Sequence, residues 1–174
     1  MIPLFKPYMP EKLPKLDYIL HSGALAYGKW GHEFEKRLGE YIYNSQILAT
    51  NSFNAAYQLA ITTLGLQPKD EVIGSPMTCL ASNQPFATQH VKVIWADIEP
   101  ATGMLDVGDV RKKITTRTKA ILVNHFCGFV GYVDEALELE KEFGLYVIED
   151  AIEGFGAEYK GKKVGNLSPD VTVS

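Results

Sequence analysis

From about Gln46 onward, short apolar runs alternate with amphipathic stretches along the chain. The runs QILAT, EVIGS, VKVIWADI, KAILVNHF, LYVIED and DVTVS have the length and composition of buried strands. Between them lie stretches with helical periodicity, such as FNAAYQLAITTLG and YVDEALELEKEFG. This alternation predicts βαβ units, and therefore an α/β fold with a mostly parallel sheet and helices on both faces.

Helix signals differ between two segments of this block. A helix is predicted from Tyr132 to Phe143, because acidic residues stand early in it, Lys141 stands late and Gly144 follows as a C-cap. A second helix is predicted from Cys79 to His90. It contains Pro85, which is expected to interrupt it because proline lacks a backbone N–H.

Residues 1–45 differ from the rest in having several prolines and the glycine-punctuated loop HSGALAYGKWG. One helix is predicted here, from about His32 to Tyr43. Its apolar stripe consists of Trp30, Phe34, Leu38 and Tyr41. Such a stripe predicts a helix that faces the core. We therefore divide the chain into an N-terminal arm and helix, residues 1–45, and an α/β block, residues 46–174.

Composition and charge exclude several classes of protein. A chain of 174 residues with 46% hydrophobic content is long enough for one full core. A formal net charge of -4 with scattered basic residues argues against nucleic-acid binding. Cys79 and Cys127 are too few for a disulfide framework, and their spacing does not suit a zinc site. Because no signal segment or transmembrane-length apolar run is present, we expect a cytoplasmic protein that contacts no membrane.

Polar side chains stand where the predicted strands end, which is where ligands bind in open α/β sheets. These residues are Thr50, Asn51, Ser75, Asp97, His125, Glu149 and Asp150. Asp150 ends a nearly all-apolar strand, and a buried aspartate keeps its charge only beside a cation or several donors. A protonated pyridine nitrogen is such a cation, and a carboxylate that holds it makes pyridoxal phosphate an electron sink. The alternative is that Asp150 only caps the following turn.

The stretch TNSFNAAYQLAIT offers a seat for a phosphate group. It runs from a strand end through a polar turn into a helix whose first backbone amides lack intrahelical partners. Ser52 and Asn54 can add side-chain donors, although a serine before a helix is also a common N-cap. His125 is similarly open to two interpretations, a ligand contact or a satisfied structural group.

Taken in order, these motifs resemble the DegT/DnrJ/EryC1/StrS family of sugar aminotransferases, a branch of the pyridoxal phosphate enzymes with the aspartate aminotransferase fold. The matching segments are IPLFKP, SGALAYGKWGHEFEKRLGEY, TNSFNAAYQLA, LQPKDEVIGSPMTCLASN, VIWADIEPATGMLD, VNHFCG and VIEDAIEGFGAEYKGKKVGNL. They follow the family's order through nearly the whole chain. The resemblance implies that the chain is the N-terminal portion of the large, cofactor-binding domain of such an enzyme.

The resemblance also implies which residues contact the cofactor. Asp150 matches the aspartate that pairs with the pyridinium nitrogen, and it is the residue expected to act in catalysis. Ser52, Phe53 and Asn54 match the phosphate-binding turn. Phe53 stands where glycine is usual, which departs from the pattern that allows the backbone to approach the phosphate closely.

Two further positions depart from the family pattern. Cys79 stands where many members have an aromatic residue that stacks on the pyridine ring, so it either packs on that ring or is a small buried hydrophobe. Glu153 stands where a glutamine usually lies near the cofactor's phenolic oxygen. An ionised glutamate would repel a phenolate, so Glu153 is protonated, points away or marks a different site. The role of Glu149 stays open.

The family's Schiff-base lysine, in a segment resembling FSFxxxK, has no counterpart before the sequence ends in DVTVS. Ser174 falls just before or within that segment and is expected to contact the cofactor. Lys160, Lys162 and Lys163 follow Asp150 too closely and lie in a predicted hairpin. We therefore expect an incomplete large domain, no C-terminal small domain and little activity of the chain alone.

The resemblance implies a pyridoxal phosphate-dependent aminotransferase that moves an amino group, typically from glutamate, to a nucleotide-linked keto-sugar. Polysaccharide or antibiotic-sugar assembly is the setting it implies, with a homodimer as the working form. Two alternatives stay open: a non-catalytic remnant or partner protein, and a lysine-free relative of the sugar dehydratases. A plain nucleotide-binding domain is disfavoured, because no glycine-rich nucleotide motif follows a predicted strand.

Overall fold

A five-stranded sheet forms the centre of the protein. It is seen in a computed structural model, which describes residues 6–174. In chain order the elements are α1 (Leu16–Leu20), α2 (Lys29–Ile42), α3 (Phe53–Thr63), β1 (Glu71–Gly74), α4 (Leu80–Thr88), β2 (Lys92–Trp95), α5 (Val107–Lys113), β3 (Thr118–Asn124), α6 (Val133–Phe143), β4 (Tyr146–Asp150), β5 (Glu158–Tyr159), β6 (Lys162–Lys163) and β7 (Val171–Val173). A 3-10 turn, Phe126–Gly128, lies between β3 and α6.

The strand order is β2-β1-β3-β4-β7, and every neighbouring pair in this sheet is parallel. The predicted α/β fold with a mostly parallel sheet is therefore confirmed. β5 and β6 form a separate antiparallel hairpin. Lys160 and Gly161, the two residues between them, both have positive φ, as a type I′ turn requires.

Helices cover both faces of the sheet. Successive side chains of a strand point to opposite faces, so neighbouring residues of one strand enter different layers. Val147 of β4 belongs to a buried cluster that includes residues of α5 and α6. Ile148, its neighbour, belongs to a second buried cluster that includes residues of α3 and α4. The same alternation directs Glu149 into the α5–α6 layer and Asp150 into the α3–α4 layer.

α6 and α4 form close to where the sequence predicts them. α6 starts at Val133, with Tyr132 as its N-cap, and Gly144 ends it in the left-handed conformation at φ 66°. α4 continues through Pro85, so the expected interruption is wrong. The proline removes one backbone donor, but its side chain is buried, and this packing keeps the helix intact.

The predicted strand QILAT, residues 46–50, is wrong. The segment forms neither helix nor strand, and two of its amides bond to side chains. Gln46 N donates to Asn44 Oδ1 at 2.9 Å, and Ala49 N donates to Glu35 Oε1 at 2.7 Å. A groove of about 630 Å³ lies between this segment and β7, the edge strand of the sheet. No strand from the described part of the chain fills it, so the segment has nothing to pair with.

The predicted core-facing stripe on α2 is also wrong. Phe34 is 56% exposed and Tyr41 is 46% exposed, whereas Trp30 and Leu38 are half-buried. α2 becomes buried near its C-terminal end, at Ile42. Because the helix meets the rest of the fold through that end, the upstream part of the stripe lies largely on the surface.

Three expectations from the sequence concern the N-terminal segment, the membrane and the division of the chain. The IPLFKP segment begins within residues 1–5, which lie outside the described residues. In residues 6–174, no helix has both the length and the apolar character needed to cross a membrane. The division of the chain at residue 45 stays a prediction.

Candidate functional site

A shallow depression lies at the carboxyl ends of β3 and β4, next to the N-terminus of α4. Its wall includes Thr78, Cys79, Ser82, Asn124, Asp150 and Glu153. Four residues singled out from the sequence, Cys79, His125, Asp150 and Glu153, therefore lie together. The position is the one at which open parallel sheets bind ligands.

Asp150 is 3% exposed at the end of β4. Its Oδ1 accepts a long hydrogen bond from Ile152 N at 3.4 Å. Its Oδ2 has no hydrogen-bond partner in the described part of the chain. Because leaving a buried acceptor unpaired costs about 1–3 kcal/mol, the site fits a ligand that brings a donor, above all a cationic N–H.

Tyr57, on α3, is a second buried polar residue close to Asp150. Its ring contacts Phe53 and Phe86 edge to face, at centroid separations of 4.9 Å and 5.7 Å. Its hydroxyl has no hydrogen-bond partner among the described residues. Burial, and after it the negative charge of Asp150, raises the pKa of Tyr57 well above its ordinary value. Tyr57 is thus a neutral phenol beside the Asp150 carboxylate.

Glu149 and His125 form a fully buried pair, with His125 Nε2 lying 2.9 Å from Glu149 Oε1. His125 Nδ1 accepts a hydrogen bond from Gly131 N at 3.0 Å, so Nε2 carries the proton and donates to Glu149. The other oxygen of Glu149 accepts from Gly165 N at 3.1 Å and from Thr172 Oγ1 at 2.6 Å. This network joins the end of β3 to β4 and β7, and it gives Glu149 the role that the sequence left open.

Two glycines leave room for the His125 imidazole. A Cβ at Gly154 would lie 2.7 Å from His125 Cβ and 3.0 Å from its Cδ2. A Cβ at Gly131 would lie 3.0 Å from Val123 Cγ1 and 3.7 Å from His125 Nδ1. Any side chain at Gly154 would therefore displace the histidine and loosen the end of β3.

Cys79 and Glu153 stand at the rim of the depression. Cys79 is the residue that precedes α4 in extended conformation, and its side chain is exposed, so the interpretation as a small buried hydrophobe is wrong. Glu153 Oε2 accepts a hydrogen bond from Cys127 N at 2.6 Å. That contact turns one oxygen of Glu153 toward the loop that follows β3.

The predicted phosphate-binding turn is a capped helix N-terminus. Ser52 Oγ accepts a hydrogen bond from Ala55 N at 3.2 Å, which makes Ser52 the N-cap of α3. Phe53 is the first helical residue and does not have the positive φ that would require glycine. Asn54 follows it in the helix. None of these three residues lines the depression around Asp150.

Ser174 stands at the same edge of the sheet as Asp150. Val173, which precedes it, is the register partner of Asp150, and its carbonyl accepts from Ala151 N at 2.8 Å. Ser174 lines the groove beside β7 and not the depression. Of the predicted site residues, Cys79, Asp150 and Glu153 thus line the depression and Ser174 lines the groove, whereas the turn Ser52, Phe53 and Asn54 lines neither.

Similarity to known proteins extends over almost the whole chain. Residues 8–174 match the DegT/DnrJ/EryC1/StrS aminotransferase family. The chain belongs to this family.

Among the relatives of this DegT/DnrJ/EryC1/StrS member is GDP-perosamine synthase from Caulobacter vibrioides, which is 35% identical over 162 residues, 91% of this chain and 44% of that protein. UDP-2-acetamido-2-deoxy-3-oxo-D-glucuronate aminotransferase from Pseudomonas aeruginosa is 34% identical over 153 residues, 88% of this chain and 43% of that protein. The crystal structure of the sugar aminotransferase CalS13 from Micromonospora echinospora matches with a TM-score of 0.90 at 28% identity, covering 97% of this chain and 48% of that one. The chain spans less than half the length of each.

The family resemblance seen in the sequence is thereby confirmed, but several residues at or near the site were missed, among them Asn124 and Tyr57. Asn124 ends β3, and its Nδ2 donates to Met77 O at 3.3 Å. The strand-end rule could have found it, because it directly precedes His125. Tyr57 gave no signal, since an aromatic residue within an apolar helix is ordinarily a core residue.

Proposed function

We propose that this member of the DegT/DnrJ/EryC1/StrS family takes part in pyridoxal phosphate-dependent transfer of an amino group to a nucleotide-linked keto-sugar, with glutamate as the donor. The observation that carries the proposal is the buried Oδ2 of Asp150, which has no donor in the described part of the chain. It supports pairing with a pyridinium N–H, which is the role that the family resemblance implies for this aspartate.

The residues of the depression fit the ring of the cofactor. When bound, pyridoxal phosphate supplies an electron sink for a carbanion next to the transferred nitrogen. Asp150 would hold a proton on the ring nitrogen, and Cys79 would contact the ring face from the rim. Ser52, Phe53 and Asn54 would receive the phosphate through the free amides at the start of α3.

Glu153 and the buried pair act on the protein side of the site. Because one Glu153 oxygen already accepts from Cys127 N, we propose that Glu153 orients the loop after β3 and points away from the cofactor's phenolic oxygen. The His125–Glu149 hydrogen bond fixes the ends of β3 and β4 from the opposite layer. Asp150 thereby stands on a strand end that cannot shift independently.

The substrate class is supported by the names of the relatives, which include a GDP-perosamine synthase and an aminotransferase of a UDP-linked sugar. Transfer moves an existing amino group, so a donor is required, and glutamate is the donor that the resemblance implies. We also propose a homodimer, which sedimentation or light scattering would test.

No lysine in the described part of the chain lines the depression. The amines of Lys160 and Lys163 pair with Asp134 and Glu158 around the β5–β6 hairpin. A second candidate, left open by the sequence, is a chain that binds the cofactor without transferring an amino group, as a lysine-free or non-catalytic relative would.

Binding of 4′-deoxypyridoxine 5′-phosphate tests the proposal, because this analogue keeps the ring nitrogen and phosphate but lacks the aldehyde that reacts with any lysine. In calorimetry, Asp150→Asn should weaken binding about tenfold or more, the effect of losing a charge-assisted hydrogen bond. Asp97→Asn is the matched control, since Asp97 follows β2 at the same sheet edge but does not line the depression. Absent binding, or equal affinities for the wild type and Asp150→Asn, would contradict the proposal.

Formation of 2-oxoglutarate from glutamate distinguishes the two candidates. The assay supplies pyridoxal phosphate and a nucleotide-linked keto-sugar. Product that depends on the keto-sugar supports the aminotransferase, whereas analogue binding without product supports the second candidate.

A further inference from the structure

The Tyr57 hydroxyl and Asp150 Oδ2 are two buried polar atoms in one layer of the protein. Tyr57 is 0% exposed and Asp150 is 3% exposed. Ile148, two residues before Asp150 on the same face of β4, packs in one cluster with Tyr57. Neither polar atom has a hydrogen-bond partner in the described part of the chain, and such isolation is rare for buried groups.

We propose that Tyr57 is a positioning residue for Asp150 and donates a hydrogen bond from its hydroxyl to Oδ2 of that carboxylate. The Tyr57 ring is held edge to face between Phe53 and Phe86, so its hydroxyl has a fixed direction. A phenol donates one hydrogen bond, and each carboxylate oxygen has two lone pairs. Oδ2 can therefore accept from Tyr57 and still receive a second donor from a ligand.

The electrostatics of the pair are consistent with a close contact. Burial, and after it the negative charge of Asp150, raises the pKa of Tyr57 well above its ordinary value, so the phenol keeps its proton and remains a donor. A hydrogen bond to the ionised form of a carboxylate favours that form, whereas burial favours the neutral form.

The consequence for a ligand rests on the proposed function. With Tyr57 donating to Oδ2, a proton shared between Asp150 and the ring nitrogen resides on the nitrogen. Without the hydroxyl, the carboxylate draws that proton toward itself. Tyr57 therefore acts on the protonation of the ring through Asp150, without contacting the ring itself.

The stability of the free chain tests the pair without any ligand. If Tyr57 were an ordinary core residue with an isolated hydroxyl, Tyr57→Phe would raise the midpoint of urea denaturation. If the hydroxyl donates to Asp150, Tyr57→Phe lowers the denaturation midpoint. In an Asp150→Ala background, where the acceptor is gone, Tyr57→Phe raises the midpoint. A raised midpoint for Tyr57→Phe alone would overturn the proposal.

Tyr159→Phe is the matched control for this cycle. It removes another tyrosine hydroxyl that bonds to an aspartate, Asp134, at 3.2 Å in the part of the fold near the β5–β6 hairpin. Its effect on the midpoint should be the same with Asp150 or Ala at position 150. A change of sign for this control as well would show that the Asp150→Ala background is perturbed generally, and would remove the support of the cycle.

Carbon NMR provides a measurement that does not depend on unfolding. The Tyr57 Cζ resonance is assigned by its loss in Tyr57→Phe, and it should shift in Asp150→Asn because a neutral acceptor replaces a charged one. The Tyr159 Cζ resonance should not shift. An unmoved Tyr57 resonance would overturn the contact.

Nitrogen NMR of the bound analogue tests the effect on the ring. With ¹⁵N-labelled 4′-deoxypyridoxine 5′-phosphate, the ring nitrogen resonance should move toward its unprotonated position in Tyr57→Phe and stay in place in Tyr159→Phe. An unmoved resonance in Tyr57→Phe would overturn the effect on the ring. If the wild-type chain binds no analogue, the proposed function fails, and the stability and carbon measurements decide the Tyr57–Asp150 contact.

Discussion

Glu149 lies inside the protein with three donors directed at its carboxylate. His125 Nε2, Gly165 N and Thr172 Oγ1 lie 2.9, 3.1 and 2.6 Å from its oxygens. We predict that Glu149→Gln, which keeps the shape of the side chain but replaces one oxygen by NH₂, destabilises the fold. His125 cannot relieve the loss by moving its proton, because Gly131 N occupies its Nδ1.

The magnitude follows from the number of donors that lose an acceptor. The glutamine oxygen can replace Oε1 and accept from His125, which places the NH₂ group beside Gly165 N and Thr172 Oγ1. The threonine hydroxyl can rotate and accept, but the Gly165 N–H cannot. One stranded buried donor costs about 1–3 kcal/mol, and Glu149→Ala, which strands all three, costs about 3–5 kcal/mol. The alanine change thus removes a large part of a typical stability of about 5–15 kcal/mol.

Urea denaturation followed by circular dichroism measures these free energies of unfolding, provided that the slopes with denaturant agree between variants. Glu138→Gln is the matched control, because Glu138 is an exposed residue of α6 and its change should stay within about 0.5 kcal/mol. If Glu149→Gln also stays within about 0.5 kcal/mol of the wild type, the three donors do not need both carboxylate oxygens as acceptors, and the reasoning is refuted.

Three further predictions concern a glycine, a helix cap and a buried carboxylate. Gly154→Ala places a Cβ 2.7 Å from His125 Cβ and should lower the unfolding free energy by about 1–3 kcal/mol, and unchanged stability would mean that the histidine moves freely. Ser52→Ala should cost about 1 kcal/mol as α3 loses its N-cap, whereas Ser52→Asp should not, and equal losses would contradict capping. The pKa of Glu71 is lowered, chiefly by a hydrogen bond from Thr115, so its stabilisation is present above its unfolded-state pKa and lost as pH falls through the lower folded one. Urea midpoints should therefore fall less steeply from about pH 6 to about pH 3 in Glu71→Gln, and parallel profiles would rule this out.

The sheet could be predicted because buried parallel strands leave a direct trace in the sequence. EVIGS, KAILVNHF and LYVIED are nearly continuous apolar runs, as strands covered on both faces must be. Residues 46–50 have the same apolar character but form no strand. Apolar character predicts burial, whereas a strand also needs a neighbour with free backbone groups, and the described residues place none beside this segment.

Part of the site could be predicted from the sequence, and there is a physical reason why the rest could not. Asp150 could be singled out from the sequence because the apolar run before it shows that it stands at a strand end, where ligands bind in open α/β sheets. The His125–Glu149 bond joins residues 24 positions apart, and it depends on the register of β3 with β4. Tyr57 could not be predicted from the sequence, because only the fold shows that its hydroxyl lies near a carboxylate.

The adjacent carboxylates Glu149 and Asp150 also constrain how the central strands align during folding. In the observed register Glu149 is paired with Val123 and Asp150 with Asn124. A slip of β4 by one residue would exchange the layers, carrying Glu149 toward the apolar α3–α4 side and leaving His125 without its acceptor. A strand made only of apolar residues would tolerate such a slip, because valine and isoleucine side chains pack similarly on either face. The two acidic residues therefore favour one alignment of β4 with β3, which apolar residues alone would not specify.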